Sequence, residues 1–261
     1  MKKLCVSALM ALALMLPGVA KAESTGVYVA PKFAMNVQHI KDSLSGSGYG
    51  LNLNFGSDSG SDVAFGGAIA IGYDFSKKFD IPVRAELEYA AYGNASKNDN
   101  GNDISKTIAD EMGMTQVYSS DVRNANLKTE VGVQTLLANV YWDITTWKDF
   151  TPYVSAGIGV AFVKTKVAYT ETWDDRSTNN TPAGGLGSIA VSASDSKAVL
   201  AGQIGFGCSY AITDTISADL GYRFLMMGDC DVDIPYEGAK FKLETSKNYA
   251  HQIMLGLRVT F

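Results

Sequence analysis

The two histidines, His39 and His251, are the side chains whose type best suits acid–base chemistry near neutral pH. Asp42 and several serines follow His39, and His, Ser and Asp together can build the site of a hydrolase or an acyltransferase. Because serine is frequent in this chain, the combination is not specific. We expect no enzyme, and an enzyme with its site at the rim of the fold stays open as an alternative.

A run of alternating acids, Asp229, Asp231 and Asp233, resembles the start of a calcium-binding loop. The position that requires glycine is Ile234, and the closing glutamate position is Lys240, so the pattern fails. We interpret the run as an acidic, solvated loop, with a loosely bound cation as the alternative. The sequence predicts no metal site and no cofactor.

Seven charged residues share one parity within alternating segments of the chain. They are Lys32, Arg84, Glu86, Glu88, Asp219, Arg223 and Arg258. Such a set could conduct protons or ions. Because buried charges persist mainly when they are paired, we predict an interior charge network with a structural role instead.

Turn-forming residues divide the chain into eight segments in which apolar and polar residues alternate, as they do in β-strands. The segments are 27–38, 62–75, 81–93, 129–144, 151–169, 197–211, 215–227 and 247–261. The connections 76–80, 145–150 and 212–214 are short, whereas 39–61, 94–128, 170–196 and 228–246 are long. This alternation is typical of an up-and-down barrel with both termini on one side.

One face of these segments is apolar and carries no Lys, Arg, Asp or Glu in its central part. Its members include Val29, Phe33, Met35, Phe65, Ile69, Ile71, Leu87, Leu136, Val140, Ile158, Val160, Phe162, Leu200, Ile204 and Leu220. A Lys or Arg on a lipid-facing strand costs about 2–4 kcal/mol at the membrane midplane, so the pattern predicts contact with lipid. In a soluble barrel this face would turn inward, but an eight-stranded interior is too narrow for Trp142, Phe206 and Tyr222 together.

Aromatic residues gather near the short turns, as they do at a membrane interface. We expect such a belt to contain Tyr73, Phe75, Trp142, Tyr153, Tyr210 and Phe261.

The amino terminus has the features of a secretory signal peptide. Lys2 and Lys3 precede an uncharged run over 4–16, and Ala20 and Ala22 form a small-x-small cleavage site. We expect residues 1–22 to be removed and residues 23–261 to form one barrel domain. Loss of three lysines changes the formal charge from −5 to −8, which argues against nucleic acid as a partner.

Only Cys208 and Cys230 follow the predicted signal peptide. The predicted strands place them near opposite ends of two neighbours, tens of Å apart at about 3.3 Å per residue. Since a disulfide cannot span that distance, we expect two unpaired thiols.

Five stretches of the predicted barrel carry a family likeness: IPVRAELEYAAYG (81–93), NVYWDI (139–144), TPYVSAGIGVAF (151–162), AGQIGFGCSYAITDTISADLGYRF (201–224) and YAHQIMLGLRVTF (249–261). They resemble the opacity-protein and surface-antigen group of outer-membrane barrels. The resemblance implies an all-β, eight-stranded antiparallel up-and-down transmembrane barrel with long extracellular loops, in the outer membrane of a Gram-negative bacterium. It covers most of the barrel and none of the long loops.

The resemblance also implies partners. Outer-membrane lipid would surround the barrel, which we expect to be a monomer. The barrel assembly machinery would receive the last strand through its apolar face. That predicted assembly signal consists of Ile253, Leu255, Leu257, Val259 and Phe261.

The long loops are the expected functional surface, adhesive, antigenic or shielding, toward a host or other extracellular ligand. Candidate binding residues are the clustered aromatic and acidic ones, Tyr49, Phe55, Trp173, Asp174, Asp175, Tyr236 and Phe241. Ile104, Ile108 and Met112 have helical spacing, which predicts a short helix over the barrel mouth. A narrow small-solute porin is the first alternative, and the rim enzyme is the second.

Overall fold

The structure, a computed structural model, describes residues 25–48, 51–100, 122–174, 176–177, 181–182, 187–236 and 239–261. The strands are β1 Val27–Gly48, β2 Leu51–Asp74, β3 Val83–Tyr92, β4 Ala95–Asn100, β5 Val122–Asp143, β6 Phe150–Asp174, β7 Arg176–Ser177, β8 Thr181–Pro182, β9 Gly187–Ala211, β10 Ile216–Met227, β11 Cys230–Tyr236 and β12 Ala239–Thr260. The predicted signal peptide, Tyr49, Asp175 and the predicted helix at 104–112 lie outside the described residues.

Eight of these strands form a closed antiparallel barrel in the order β1, β2, β3, β5, β6, β9, β10 and β12. The barrel closes because β1 also pairs with β12, from Tyr28 with Thr260 to Ser47 with Lys240. Closure leaves no unpaired edge at the level of the barrel wall. The predicted eight-stranded up-and-down barrel is confirmed.

The three short connections lie at one end of the barrel, which we call the turn end. One of them contains α1, a four-residue helix over Ser76–Phe79 that the sequence reading did not include. It ends at Asp80, whose φ of 56° is left-handed. Among the described residues, no helix is long and apolar enough to cross a membrane.

The opposite end, which we call the hairpin end, differs from the prediction of long loops. β1 and β2 stay paired as far as Gly48 and Leu51, and β6 and β9 stay paired as far as Trp173 and Gly187. Backbone pairing needs no apolar face, so Ser-, Gly- and Asn-rich sequence continues the strands after the alternation of hydrophobicity has ended. The predicted boundaries at 38, 62, 169 and 197 are therefore wrong.

Side-chain exposure follows the predicted parity. The outward face is exposed, with Phe65, Ile71, Trp142, Ile158 and Leu200 each more than half accessible. The inward face is buried, including all seven predicted charges except Asp219, which is half-buried. This is the arrangement of a barrel in lipid, since apolar side chains face outward and polar ones inward.

The inside of the barrel is not polar throughout. Toward the hairpin end it holds an apolar layer, whose larger members are Tyr92, Val131, Val133, Leu137, Val163, Leu225 and Met227. Alanines from six strands of the barrel surround them, namely Ala34, Ala68, Ala90, Ala161, Ala201 and Ala250. These side chains fill the lumen on the hairpin-end side of the charged residues.

Candidate functional site

Four charged side chains meet near the middle of the barrel and form what we call the central ion cluster: Lys32, Glu86, Glu88 and Arg223. Lys32 Nζ donates to Glu88 Oε2 at 2.7 Å and also to Glu86 Oε1. Arg223 Nη1 donates to Glu88 Oε1 at 2.6 Å from the other side. Two cations therefore share two carboxylates, and the Glu88 side chain is inaccessible to solvent.

Neutral polar groups complete the hydrogen bonding of this cluster. Arg223 Nη2 donates to Tyr92 Oη at 2.7 Å, and Arg223 Nε donates to Gln252 Oε1. Gln252 Nε2 in turn donates to Asn36 Oδ1 at 3.0 Å, and Tyr141 Oη donates to Glu86 Oε1 at 3.0 Å. Paired and hydrogen-bonded in this way, buried charges are tolerated inside a protein.

A second group, the lower ion cluster, lies closer to the turn end and consists of Arg84, Asp143, Asp219 and Arg258. Arg84 binds Asp143 in a bidentate manner, with Nη2 2.8 Å from Oδ1 and Nε 3.0 Å from Oδ2. Asp219 lies between the two guanidinium groups, 3.8 Å from Arg84 Nη1 and 3.8 Å from Arg258 Nε. Asp143 was missing from the predicted set, and it makes the cations and carboxylates of the two clusters equal in number.

Tyrosines pack around the guanidinium groups, and glycines make room for them. The Arg84 guanidinium lies 4.8 Å from the ring centre of Tyr141 and 5.0 Å from that of Tyr153. A Cβ at Gly207 would come within 2.5 Å of Tyr153 Oη, and one at Gly221 within 2.6 Å. Tyr153 is therefore a buried interior residue and not a member of the interfacial belt, which corrects the prediction.

Among the described residues, the space between the two ion clusters is small. A cavity of about 30 Å³ lies between the two clusters and is lined by Lys32, Arg84, Glu86, Asp219 and Arg223. A single water molecule needs about 10–15 Å³ of such volume, so this space is far smaller than a passage through the barrel. The charged groups are positioned to bind one another rather than a solute.

Both predicted histidines lie on the outward face near the hairpin end, packed among aromatic rings. His39 stacks on Tyr249 with ring centres 5.0 Å apart, and its ring centre lies 5.6 Å from that of His251. His251 Nδ1 forms a hydrogen bond of 2.6 Å with Tyr222 Oη. The structure thus brings the two imidazoles together, whereas the side chain of Asp42 lies outside what it describes.

The predicted loop residues are placed by backbone only. Phe55 lies in β2, Trp173 and Asp174 in β6, Tyr236 in β11 and Phe241 in β12, all toward the hairpin end. These residues lie on strands, so the prediction that they lie on loops is wrong. Their side chains, like that of Asp231 in the acidic run, are outside the described part of the chain.

Other predicted residues are placed on the barrel wall. Ile253, Leu255 and Leu257 of the predicted assembly signal are exposed on the outward face of β12, and Val259 and Phe261 are half-buried. Cys208 is a free thiol on the outward face of β9. In the described ranges, no three His, Cys, Asp or Glu side chains are grouped to hold a metal ion.

On the hairpin-end side of the apolar band, the outward face of the barrel carries charged residues. On β5, Lys128 Nζ lies 2.7 Å from Glu130 Oε1, and both side chains are partly accessible. The hydrogen bond and the positive charge of Lys128 hold the pKa of Glu130 below its ordinary value. Glu130 is therefore a carboxylate at neutral pH, and the rim of this wall presents an ion pair instead of apolar groups.

Comparison with known proteins places this architecture in a family. The family model described as "Outer membrane protein beta-barrel domain" matches residues 6–261. The chain belongs to this family. Outer membrane protein PagN of Salmonella typhimurium is 30% identical over 250 residues, which cover 90% of each chain. The predicted resemblance to eight-stranded outer-membrane barrels is confirmed, and an outer-membrane location follows from it.

More distant relatives of the family match over part of their length. A Rickettsia prowazekii protein described as "Putative adhesin" is 25% identical over 136 residues, which cover 52% of this chain and 54% of the relative. Among solved structures, Neisserial surface protein A has 16% identity and a TM-score of 0.42, with 92% of this chain covered and all of the other. OprG of Pseudomonas aeruginosa has 16% identity and a TM-score of 0.45, with 91% and 97% covered.

Proposed function

We propose that this chain is a surface attachment protein, with its barrel as the anchor and its paired hairpins as the adhesive part. One observation carries the proposal: the paired strands continue well beyond the apolar band. On β6 the last exposed apolar residue of the band is Phe162, whereas pairing with β9 continues to Trp173. At about 3.3 Å per residue, that extension is roughly 35 Å of strand.

A paired hairpin suits attachment better than an unstructured loop does. Its backbone is already ordered by the ladder, so a partner that binds it loses less conformational entropy in the complex. The exposed side chains of the β9 extension are small, and those of Ser188, Ser192, Ser194 and Ser196 carry hydroxyl groups. Hydroxyl groups on a preformed strand can hydrogen-bond a ligand without a charged partner.

The name of the Rickettsia prowazekii relative supports an adhesive role, since it is described as a "Putative adhesin". The filled interior argues against the first alternative, a small-solute porin, because the apolar layer and the two ion clusters occupy the lumen. In the described part of the chain, His39 stacks on Tyr249 and meets the edge of His251, and these contacts do not by themselves favour the second alternative, the rim enzyme. Antigenic or shielding roles would use the same surface and need no binding.

Attachment is tested by shortening the hairpins without disturbing the barrel. Residues 168–192 are replaced by Asn-Gly, which joins the paired residues Val167 and Ala193 by a two-residue turn. In the same variant, residues 44–56 are replaced by Asn-Gly between the paired Ser43 and Ser57. The full chain and the shortened chain are displayed on non-adherent Gram-negative cells, and attachment to an epithelial monolayer is counted.

We expect the full chain to promote attachment and the shortened chain to lose that gain. Heat-modifiable migration on gels should show both barrels folded. A matched control, Trp147→Ala, changes an exposed residue at the turn end and should adhere like the full chain. Equal attachment by the folded, shortened chain would refute an adhesive role for these hairpins.

A further inference from the structure

The wall formed by β5, β6 and β9 has an unusual outward face where the apolar band ends. Phe162 is exposed, and the next two outward residues of β6 are the exposed Lys164 and Lys166. Lys128 is paired with Glu130 on the adjacent β5. Glu130 also lies opposite Lys166 in the ladder, and the positive charge of Lys166 adds to that of Lys128 in favouring its carboxylate form. Among the described outward residues of this rim, three lysines thus stand near one carboxylate, and the rim keeps a net positive charge with Lys164 next to the apolar band.

A groove of about 350 Å³ lies at the same height. Its lining includes Asn94, Gly132, Gln134, Phe162, Lys164 and Ser196. Gly132 pairs with Lys164, and its lack of a side chain keeps the groove open beside Asn94, whose Oδ1 would lie 2.7 Å from a Cβ at that position. The volume falls in the range of small-ligand sites.

The groove is amphipathic along the strand direction. Its upper part offers the ammonium of Lys164, the amide of Gln134 and the hydroxyl of Ser196, whereas the Asn94 amide beside them donates to Glu130. Gln134 is held in place because Tyr89 Oη donates to its Oε1 at 2.9 Å. Its lower part is Phe162, and below it the exposed Leu136, Val160 and Leu200 continue the lipid-facing surface.

A ligand that fits this surface must be anionic at one end and apolar at the other, and the anionic end must lie at the membrane boundary. We propose that the groove binds the phosphorylated headgroup of a lipid in the outer leaflet, with its acyl chains along Phe162, Leu136 and Leu200. Ammonium and amide groups are the donors that phosphate oxygens accept from. This binding is independent of the attachment role and would hold even if the hairpins bound nothing.

The test uses the full chain in phosphatidylcholine nanodiscs that contain a small fraction of lipid A, which is a bis-phosphorylated glycolipid. The amount of lipid A retained on the protein is measured by native mass spectrometry. Dephosphorylated lipid A and inorganic phosphate serve as separate probes. The variant is Lys164→Gln with Lys166→Gln, and the matched control is Lys77→Gln with Lys78→Gln, an exposed pair at the turn end.

We expect the groove variant to retain lipid A roughly 25-fold less well, about fivefold for each lysine removed, and the control to retain it like the unaltered chain. Dephosphorylated lipid A should bind weakly to both, and inorganic phosphate should not displace lipid A. Heat-modifiable migration checks that each variant is folded. Equal retention by the groove variant, an equal loss in the control, or displacement by free phosphate would each overturn the proposal.

Discussion

Glu88 is the residue on which the barrel interior depends most. Its carboxylate lies between Lys32 and Arg223, with one oxygen 2.7 Å from the ammonium and the other 2.6 Å from the guanidinium. If the carboxylate is removed, Arg223 loses its carboxylate partner and Lys32 keeps only that of Glu86. Removing one partner of a buried ion pair lowers the free energy of unfolding by far more than the intact pair contributes to it, because the other charge is left buried without a partner.

We therefore expect Glu88→Ala to lower the free energy of unfolding by about 3–5 kcal/mol. Leu87→Ala is the matched control, because Leu87 is the adjacent residue and half of its side chain is exposed on the outward face. The Leu87→Ala substitution should lower the free energy of unfolding much less, because lipid is as apolar as the leucine side chain that it replaces. Urea unfolding of the barrel in lipid vesicles, followed by tryptophan fluorescence, measures both. Equal losses would contradict the assigned parity.

At the scale of residues, parity in the sequence was enough to identify seven of the eight charged residues of the two ion clusters. Asp143 shares the parity of Tyr141, but it stands beside a turn, where alternation gives little information. The sequence does not show in the same way which charged residues pair with one another. Which cation meets which carboxylate depends on the register between strands, for example Gly72 opposite Glu86 and Lys32 opposite Gly256.

At the scale of strands, the inward faces of β6, β9 and β10 have complementary shapes. Tyr153 from β6 occupies the space that Gly207 and Gly221 leave on the other two strands. Glycine weakens a strand in general, and here it permits a ring to lie close to the backbone. The sequence shows that these positions are small and face inward, but it does not show which ring fills the space.

The substitution Gly207→Val tests whether the packing of Tyr153 requires glycine at this position. The Cβ of the valine would lie 2.4 Å from the carbonyl oxygen of Leu220 and 2.5 Å from Tyr153 Oη, so Tyr153 and the strand must shift. We expect a destabilisation of roughly 1–3 kcal/mol or more. The control is Gly202→Val on the same strand, where the nearest atom to the Cβ is 3.7 Å away. It should be neutral or stabilising in the same urea experiment, and the reverse order would contradict the packing.

The hairpin extensions were not predictable from apolar alternation. A lipid-facing strand must alternate, because one face meets hydrocarbon and the other meets the interior. Past the apolar band only the outward face of the wall meets water, so Lys, Ser, Thr and Asn replace apolar residues there, whereas Val163, Thr165 and Val167 of β6 stay buried on the inward face. The outward apolar residues therefore end at Phe162 on β6, although the ladder with β9 continues to Trp173.

For the whole molecule, the outward apolar band, the filled lumen and the two unlike ends define the barrel together. Cations and carboxylates balance within the two ion clusters, so the interior gains no net charge from them. The turn end carries exposed Trp147 and Phe79, and the hairpin end carries the polar extensions. Both proposals require the hairpin end to face the cell exterior.

The orientation of the barrel in living cells tests this requirement most directly. Cys208 and Cys230 are replaced by serine, and one cysteine is introduced at the exposed Ser192 of the β9 extension or at the exposed Thr146 of a short turn. A membrane-impermeant maleimide is applied to intact cells and to cells with a permeabilised outer membrane. We predict that Ser192→Cys is labelled in intact cells and that Thr146→Cys is labelled only after permeabilisation. Labelling of Thr146→Cys in intact cells, with Ser192→Cys protected, would contradict the account.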